Sequence, residues 1–96
     1  MSQFQTKRPD AVLDYEFDWS DSLVDGESIS DYTITVYGGD DLVLDSDELT
    51  NSNNGVKIWL SGGANWKFYS IKCEIVTNNA TARTDSQKLY LGVIDL

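Results

Sequence analysis

From residue 13 the side chains alternate. Leu13, Tyr15, Phe17 and Trp19 take every second position, with Asp14, Glu16 and Asp18 between them. An extended backbone points successive side chains to opposite faces, so this order gives one apolar face and one wet face. The same period returns at Val56, Ile58 and Leu60, with Lys57 and Trp59 on the other side. It returns again at Tyr69, Ile71, Cys73 and Ile75, against Lys72 and Glu74, and at Leu89, Leu91 and Val93. Residues 29–37 are dense in β-branched and aromatic types, and Leu42-Val43-Leu44 is a short apolar stretch before the polar run 45–54. Ser20-Asp21-Ser22, Asp25-Gly26, Gly38-Gly39-Asp40, Ser61-Gly62-Gly63 and Asn78-Asn79 are turn signals between these segments. No segment sustains a 3.6-residue period. The pattern predicts an all-β fold, an immunoglobulin-like antiparallel β-sandwich of about seven short strands. Residues 1–12, with Phe4 and the only proline, Pro9, read as an extended N-terminal arm, and 13–96 as a single sandwich domain.

Ninety-six residues allow one domain, with a modest core in which three Trp, five Tyr and three Phe supply much of the bulk. The chain has no histidine. That removes the commonest general base, the commonest zinc ligand and every Ser–His or Cys–His pair. One cysteine, Cys73, excludes an internal disulfide. A free thiol, no signal-peptide pattern behind Lys7 and Arg8, and no apolar run of membrane-spanning length suit a protein made in a reducing cytoplasm.

Charge is strongly uneven. The chain carries seven basic and sixteen acidic side chains, net −9. Thirteen of the acids and only two of the bases fall in residues 1–56; residues 57–96 hold three acids and five bases. This balance disfavours nucleic-acid backbones and anionic membranes, since both are bound through Lys and Arg. Two readings remain for the acids: solvated strand faces that keep the subunit soluble, or an acidic patch that docks on a basic surface. In the second, Asp14, Glu16 and Asp18, with the loop acids Asp40, Asp41, Asp45 and Asp47, meet Lys57, Lys67, Lys72, Arg83 and Lys88 of an adjacent copy or another basic partner.

Catalytic signals are thin, and no cofactor is expected. Paired carboxylates such as Asp14 with Glu16 have a glycosidase-like spacing, but alternation places acids this way on any half-exposed strand. Ser61 lacks both the preceding glycine of a nucleophile elbow and a histidine to activate it. Asp40, Asp41, Asp45, Asp47 and Glu48 offer oxygen ligands of the kind calcium takes, without the spacing of the helix–loop–helix calcium motif. Trp59 and Trp66 are candidates for a sugar platform or for lids over a small core, and Cys73 reads as a buried apolar residue.

Three stretches resemble a known family. Lys-Arg-Pro-Asp-Ala-Val-Leu-Asp-Tyr-Glu-Phe-Asp-Trp-Ser (7–20) resembles the opening block of small tailed-bacteriophage virion proteins of the fiber-tail adaptor, or neck, type. Val-Lys-Ile-Trp-Leu-Ser-Gly-Gly (56–63) is similar to their central block, and Ala-Arg-Thr-Asp-Ser-Gln-Lys-Leu-Tyr-Leu (82–91) to their closing one. Arg8 stands where the family usually has Asp, and Ala82 where it often has Gly. The resemblance implies an immunoglobulin-like sandwich and a non-enzymatic virion building block. Its expected partners are other virion proteins (portal or adaptor, tail or fiber), bound in several copies. Alternatives are a capsid decoration or cement protein on the major capsid protein, and a carbohydrate-binding module. Phe4, Lys7, Arg8, Asp14, Glu16 and Asp18 are the expected partner-binding residues, with Phe4 anchoring the arm on a neighbouring chain. Arg83 and Asp85 are expected to pair and fix the loop before the last strand.

Overall fold

The computed structural model describes residues 2–23, 26–50, 52–78 and 83–95, with the side chains of Ser2 and Gln3 left aside. The turn positions Asp25 and Asn79, and Ala82 of the closing block, lie outside the described residues. Seven strands follow in order: β1 Ser2–Lys7, β2 Leu13–Asp18, β3 Ile29–Tyr37, β4 Leu42–Thr50, β5 Gly55–Gly62, β6 Lys67–Thr77 and β7 Thr84–Val93. There is no helix among the described residues. The strands form a four-stranded sheet, β1-β7-β6-β3, and a three-stranded sheet, β2-β5-β4, packed as a sandwich. This order is compatible with an immunoglobulin-like arrangement, in which the third, sixth and seventh strands share one sheet and the second, fourth and fifth the other.

The alternation does what it predicts. Phe17, Trp19, Val56, Ile58, Leu60, Ile71, Cys73, Ile75, Leu89, Leu91 and Val93 are all at most 1% exposed and form one cluster contributed by both sheets. Leu13 and Tyr15 share the phase, but Leu13 reaches the open end and is exposed. Trp19 closes the opposite end of the core. Its indole N–H donates to Asp85 Oδ2 at 3.2 Å, while Gln87 Nε2 donates to the carbonyl of Asp18 at 2.8 Å, tying the end of β2 to β7 across the sheets. Asp85 is therefore engaged by Trp19, and Arg83 reaches Glu27 Oε1 instead, at 2.8 Å. Thr77 Oγ1 donates to the other Glu27 oxygen at 2.7 Å, so this buried carboxylate fastens the segment before β3 onto the β6–β7 connection.

Two segments differ from expectation. The polar run after Leu44 continues as β4, paired antiparallel with β5 from Leu42↔Gly62 to Thr50↔Gly55. Asp45 is the extra residue of a bulge between Leu44 and Ser46. One inserted residue reverses the side-chain phase, so Leu42 and Leu44 before it and Leu49 after it all pack on the core. The second difference is the arm. Residues 2–7 are the edge strand of the larger sheet, parallel to β7 with Phe4 opposite Tyr90 and Lys7 opposite Val93. An otherwise antiparallel sandwich thus contains one parallel pair, and the segment expected to lie on a neighbouring chain is paired within its own.

Two consequences follow for stability and reactivity. Trp19→Ala empties a large buried site and should cost about 3–5 kcal/mol, much of what a domain of this size has; chemical denaturation followed by circular dichroism measures it. Cys73 is fully buried, and burial first, with Asp47 and Glu74 adding to it, pushes its thiol up to about 12. A thiol-specific disulfide reagent at pH 8 should leave the native chain unmodified and label it fully in denaturant.

Candidate interaction surfaces

With alternate side chains committed to the interior, the other half form two outer faces of different chemistry. On the three-stranded sheet, β5 lies between β2 and β4, both from the acidic half of the sequence. Cross-strand register sets Lys57 between Glu16 and Glu48, and Trp59 between Asp14 and Ser46. Asp14, Glu16, Asp18 and Glu48 are all exposed here. Lys57 Nζ lies 3.9 Å from Asp14, Thr50 Oγ1 donates to Glu16 at 2.6 Å, and Asp18 Oδ1 accepts from the backbone N–H of Ser20 at 2.8 Å. Four carboxylates around a single ammonium leave this face negative, with Trp59 at its centre and 36% exposed.

The outer face of the four-stranded sheet is aromatic. Phe4, Tyr90, Ser70 and Tyr37 stand in one cross-strand row over β1, β7, β6 and β3, and Phe68 stands in the next row opposite Gly92. Phe4, Phe68, Tyr37 and Tyr90 are 61%, 60%, 48% and 41% exposed. Gly92 makes the close packing of this row possible: a Cβ built there would lie 3.0 Å from the Phe68 ring and 3.6 Å from the Phe4 ring. The row on the other side of Tyr90 pairs Lys72 with Lys88. Lys72 lies 3.7 Å from Glu74; Lys88 has no carboxylate within 4 Å among the described residues.

Trp66 lies just ahead of β6, 62% exposed, at the end of the sandwich nearest Phe68. Its φ of 64° is unusual for a bulky residue, and the surrounding bonds hold it. Trp66 N–H donates to Val93 O at 2.7 Å, Ala64 N–H donates to the Tyr69 hydroxyl at 2.9 Å, and that hydroxyl donates to Asp41 Oδ1 at 2.8 Å. The Tyr69 hydrogen bond is the main cause of a lowered Asp41 pKa, with Lys67 at 3.5 Å contributing. Gly62, at φ 74°, lets the turn pass so close that a Cβ would sit 2.6 Å from Asp41 O.

The six expected partner-binding residues divide among these surroundings. Phe4 joins the aromatic face, and Asp14, Glu16 and Asp18 the acidic one. Lys7 is 3% exposed and donates to the carbonyls of Arg8 and Gly62, each at 2.7 Å. Burial lowers its pKa, with Asp10 and Asp45 opposing. It ties β1 to the β5–β6 turn and is not at the surface. Arg8 is exposed and engages its own chain, 3.4 Å from Asp10 and 3.7 Å from Asp95. The candidate calcium ligands are spread by β4: Asp45 accepts from Ser61, Asp47 from the Tyr32 hydroxyl, and Asp41 from Tyr69. No three acids converge as a metal set among the described residues. Trp59 and Trp66 belong to a sheet face and a turn, so neither register nor sequence makes them one platform. Phe68, Tyr90 and Tyr37 escaped the sequence reading. Their signal was phase: each is an aromatic at a position out of step with its strand's apolar face.

The chain matches the family described as podophage GP4 fiber-tail adaptor protein gp77 over residues 7–91, and it belongs to that family. No curated protein matches it. The match takes in β2 through most of β7 and begins at Lys7, the last residue of β1.

Lys7 and Arg8 separate a structural role from a surface one. Lys7→Ala removes two charge-assisted bonds from a buried ammonium to backbone carbonyls and should destabilise the domain by about 1.5–3 kcal/mol or more. Arg8→Ala, which breaks only exposed pairs, should change stability by less than about 1 kcal/mol. Thermal melts of the two variants make the comparison.

Proposed function

As a premise taken from membership of the podophage fiber-tail adaptor family, we propose that this chain is a non-enzymatic virion protein that joins other virion proteins, in several copies, at the tail or fiber attachment region. The carrying observation is the aromatic face. Phe4, Phe68, Tyr37 and Tyr90 are exposed together on a sheet face that nothing among the described residues covers, and monomeric proteins seldom leave such a patch to water. Protein interfaces gather aromatic residues at their centres, where a few supply most of the affinity. The strands beneath fix these rings before binding, which lowers the ordering cost of association.

Phe68→Ser combined with Tyr90→Ser tests this reading. Both side chains point away from the core, so the variant should fold and melt close to wild type. In particles assembled with it, the chain should fall to less than roughly a tenth of its wild-type amount, as loss of central aromatic contacts would produce. Quantitative mass spectrometry of purified virions gives the number. Wild-type incorporation of a correctly folded variant would refute the assignment of this face.

A further inference from the structure

We propose that the free edge of β3 accepts an added strand: an extended segment of a different virion chain, apolar at alternate positions and carrying Lys or Arg. The inference rests on the adaptor reading for its partner, and it uses a flank of the sandwich rather than the aromatic face. β3 ends the four-stranded sheet, with β6 on one side and no strand on the other among the described residues. In an antiparallel pair, successive residues turn their N–H and C=O groups alternately toward the neighbouring strand and away from it. Tyr32 fixes the phase, because its N–H turns off the sheet and donates to Asp31 Oδ1 at 2.8 Å. Two and four residues on, Ile34 and Val36 aim their backbone groups at the same free flank. From Tyr32 to Tyr37 the edge carries no proline, bulge or charge. The other three edges are blunted against such pairing. β2 carries Asp14, Glu16 and Asp18; β4 has the Asp45 bulge followed by Asp47 and Glu48; β1 sets the exposed, polar Gln5 in the core phase, opposite Leu91.

The core is incomplete along the same flank. Tyr32, Ile34 and Val36 stand opposite Ile75, Cys73 and Ile71 of β6. Those β6 residues are at most 1% exposed, whereas their β3 counterparts in the same phase are only half-buried. Leu44 and Leu49 of β4, on the facing sheet, are half-buried too. The Tyr32 hydroxyl donates to Asp47 Oδ1 at 2.6 Å, so β3 and β4 face each other across this opening. A strand paired with β3 satisfies the free backbone groups and lays alternate side chains over the half-buried ones, removing apolar surface from water. The opening is also acidic. Asp31 and Asp47 are exposed, and neither has a Lys or Arg within 4 Å among the described residues. A basic side chain on the incoming segment complements them. The strands of this chain that alternate apolar residues already fill its own core, so the segment belongs to a different chain.

Hydrogen–deuterium exchange at single-amide resolution, on the free chain and on the chain in purified virions, provides the test. In the free chain the Ile34 and Val36 amides should exchange nearly as fast as in an unfolded peptide, while those of Thr33 and Thr35, bonded to β6, are protected. In the particle Ile34 and Val36 should slow by about a hundredfold or more, as amides in a stable ladder do. Ile34→Pro removes one free-edge N–H and none that the sheet itself uses. It should fold, as a melt verifies, yet reach less than roughly a tenth of wild-type incorporation for want of that pairing. Ile34→Val keeps the N–H and should incorporate normally. Asp47→Lys, at an exposed position, should lower incorporation by repelling a basic segment. Fast exchange at Ile34 and Val36 in the particle overturns the proposal, as does protection of both already in the free chain. Normal incorporation of a folded Ile34→Pro or Asp47→Lys chain overturns it as well, and if neither variant folds the exchange measurement decides alone. The exchange result is read on wild-type chain inside the particle, whereas failure of the adaptor reading leaves the particle without the chain.

Discussion

Burial of every second side chain from β2, β5, β6 and β7 in one shared layer is what the structure depends on. The layer contains no disulfide and spans a domain of 96 residues, so hydrophobic contact must supply nearly all of the cohesion. Every buried position commits its neighbour to the outside. The two outer faces are therefore products of the same periodicity as the core. One inherits the acids that alternate through β2 and β4. The other inherits aromatics from β1, β3, β6 and β7, whose phase turns them away from the core.

The polar bonds at the two ends of the sandwich do a different job. Trp19 to Asp85, Gln87 to Asp18 and Glu27 to Thr77 and Arg83 hold chain segments distant in sequence at one end. Lys7 and the Tyr69–Asp41 pair do so at the other. Each satisfies a polar group that would be costly to bury alone. Together they keep the strand ends in register, and with them the rows of side chains on the outer faces.

Much of this was legible in the sequence, and the exceptions share a cause. The alternation at Leu13–Trp19, Val56–Leu60, Tyr69–Ile75 and Leu89–Val93 found the core because each strand carries its own period. β4 was hidden since Asp45 breaks that period, and only pairing with β5 reveals a bulge rather than a loop. Ser2–Lys7 reads as an arm because it has one apolar aromatic in a polar run; its place is decided by the free edge of β7, a partner more than eighty residues away. The same non-local fact makes Lys7 a buried tie instead of a surface charge. On the outer faces, Asp14, Glu16 and Asp18 were placed correctly by phase. The aromatic face went unseen because Phe4, Phe68, Tyr90 and Tyr37 come from four strands, and only the sheet order brings them together.

The central claim is that the core's periodicity leaves an aromatic sheet face that other virion chains cover. Hydroxyl-radical footprinting, comparing the free chain with the chain inside assembled particles, examines that face directly. Exposed aromatic rings are oxidised readily, and a covering partner protects them. The account predicts that Phe68, Tyr90 and Phe4 are modified in the free chain and strongly protected in the particle, while Trp19 resists in both. Equal modification of Phe68 and Tyr90 in the two states would contradict it.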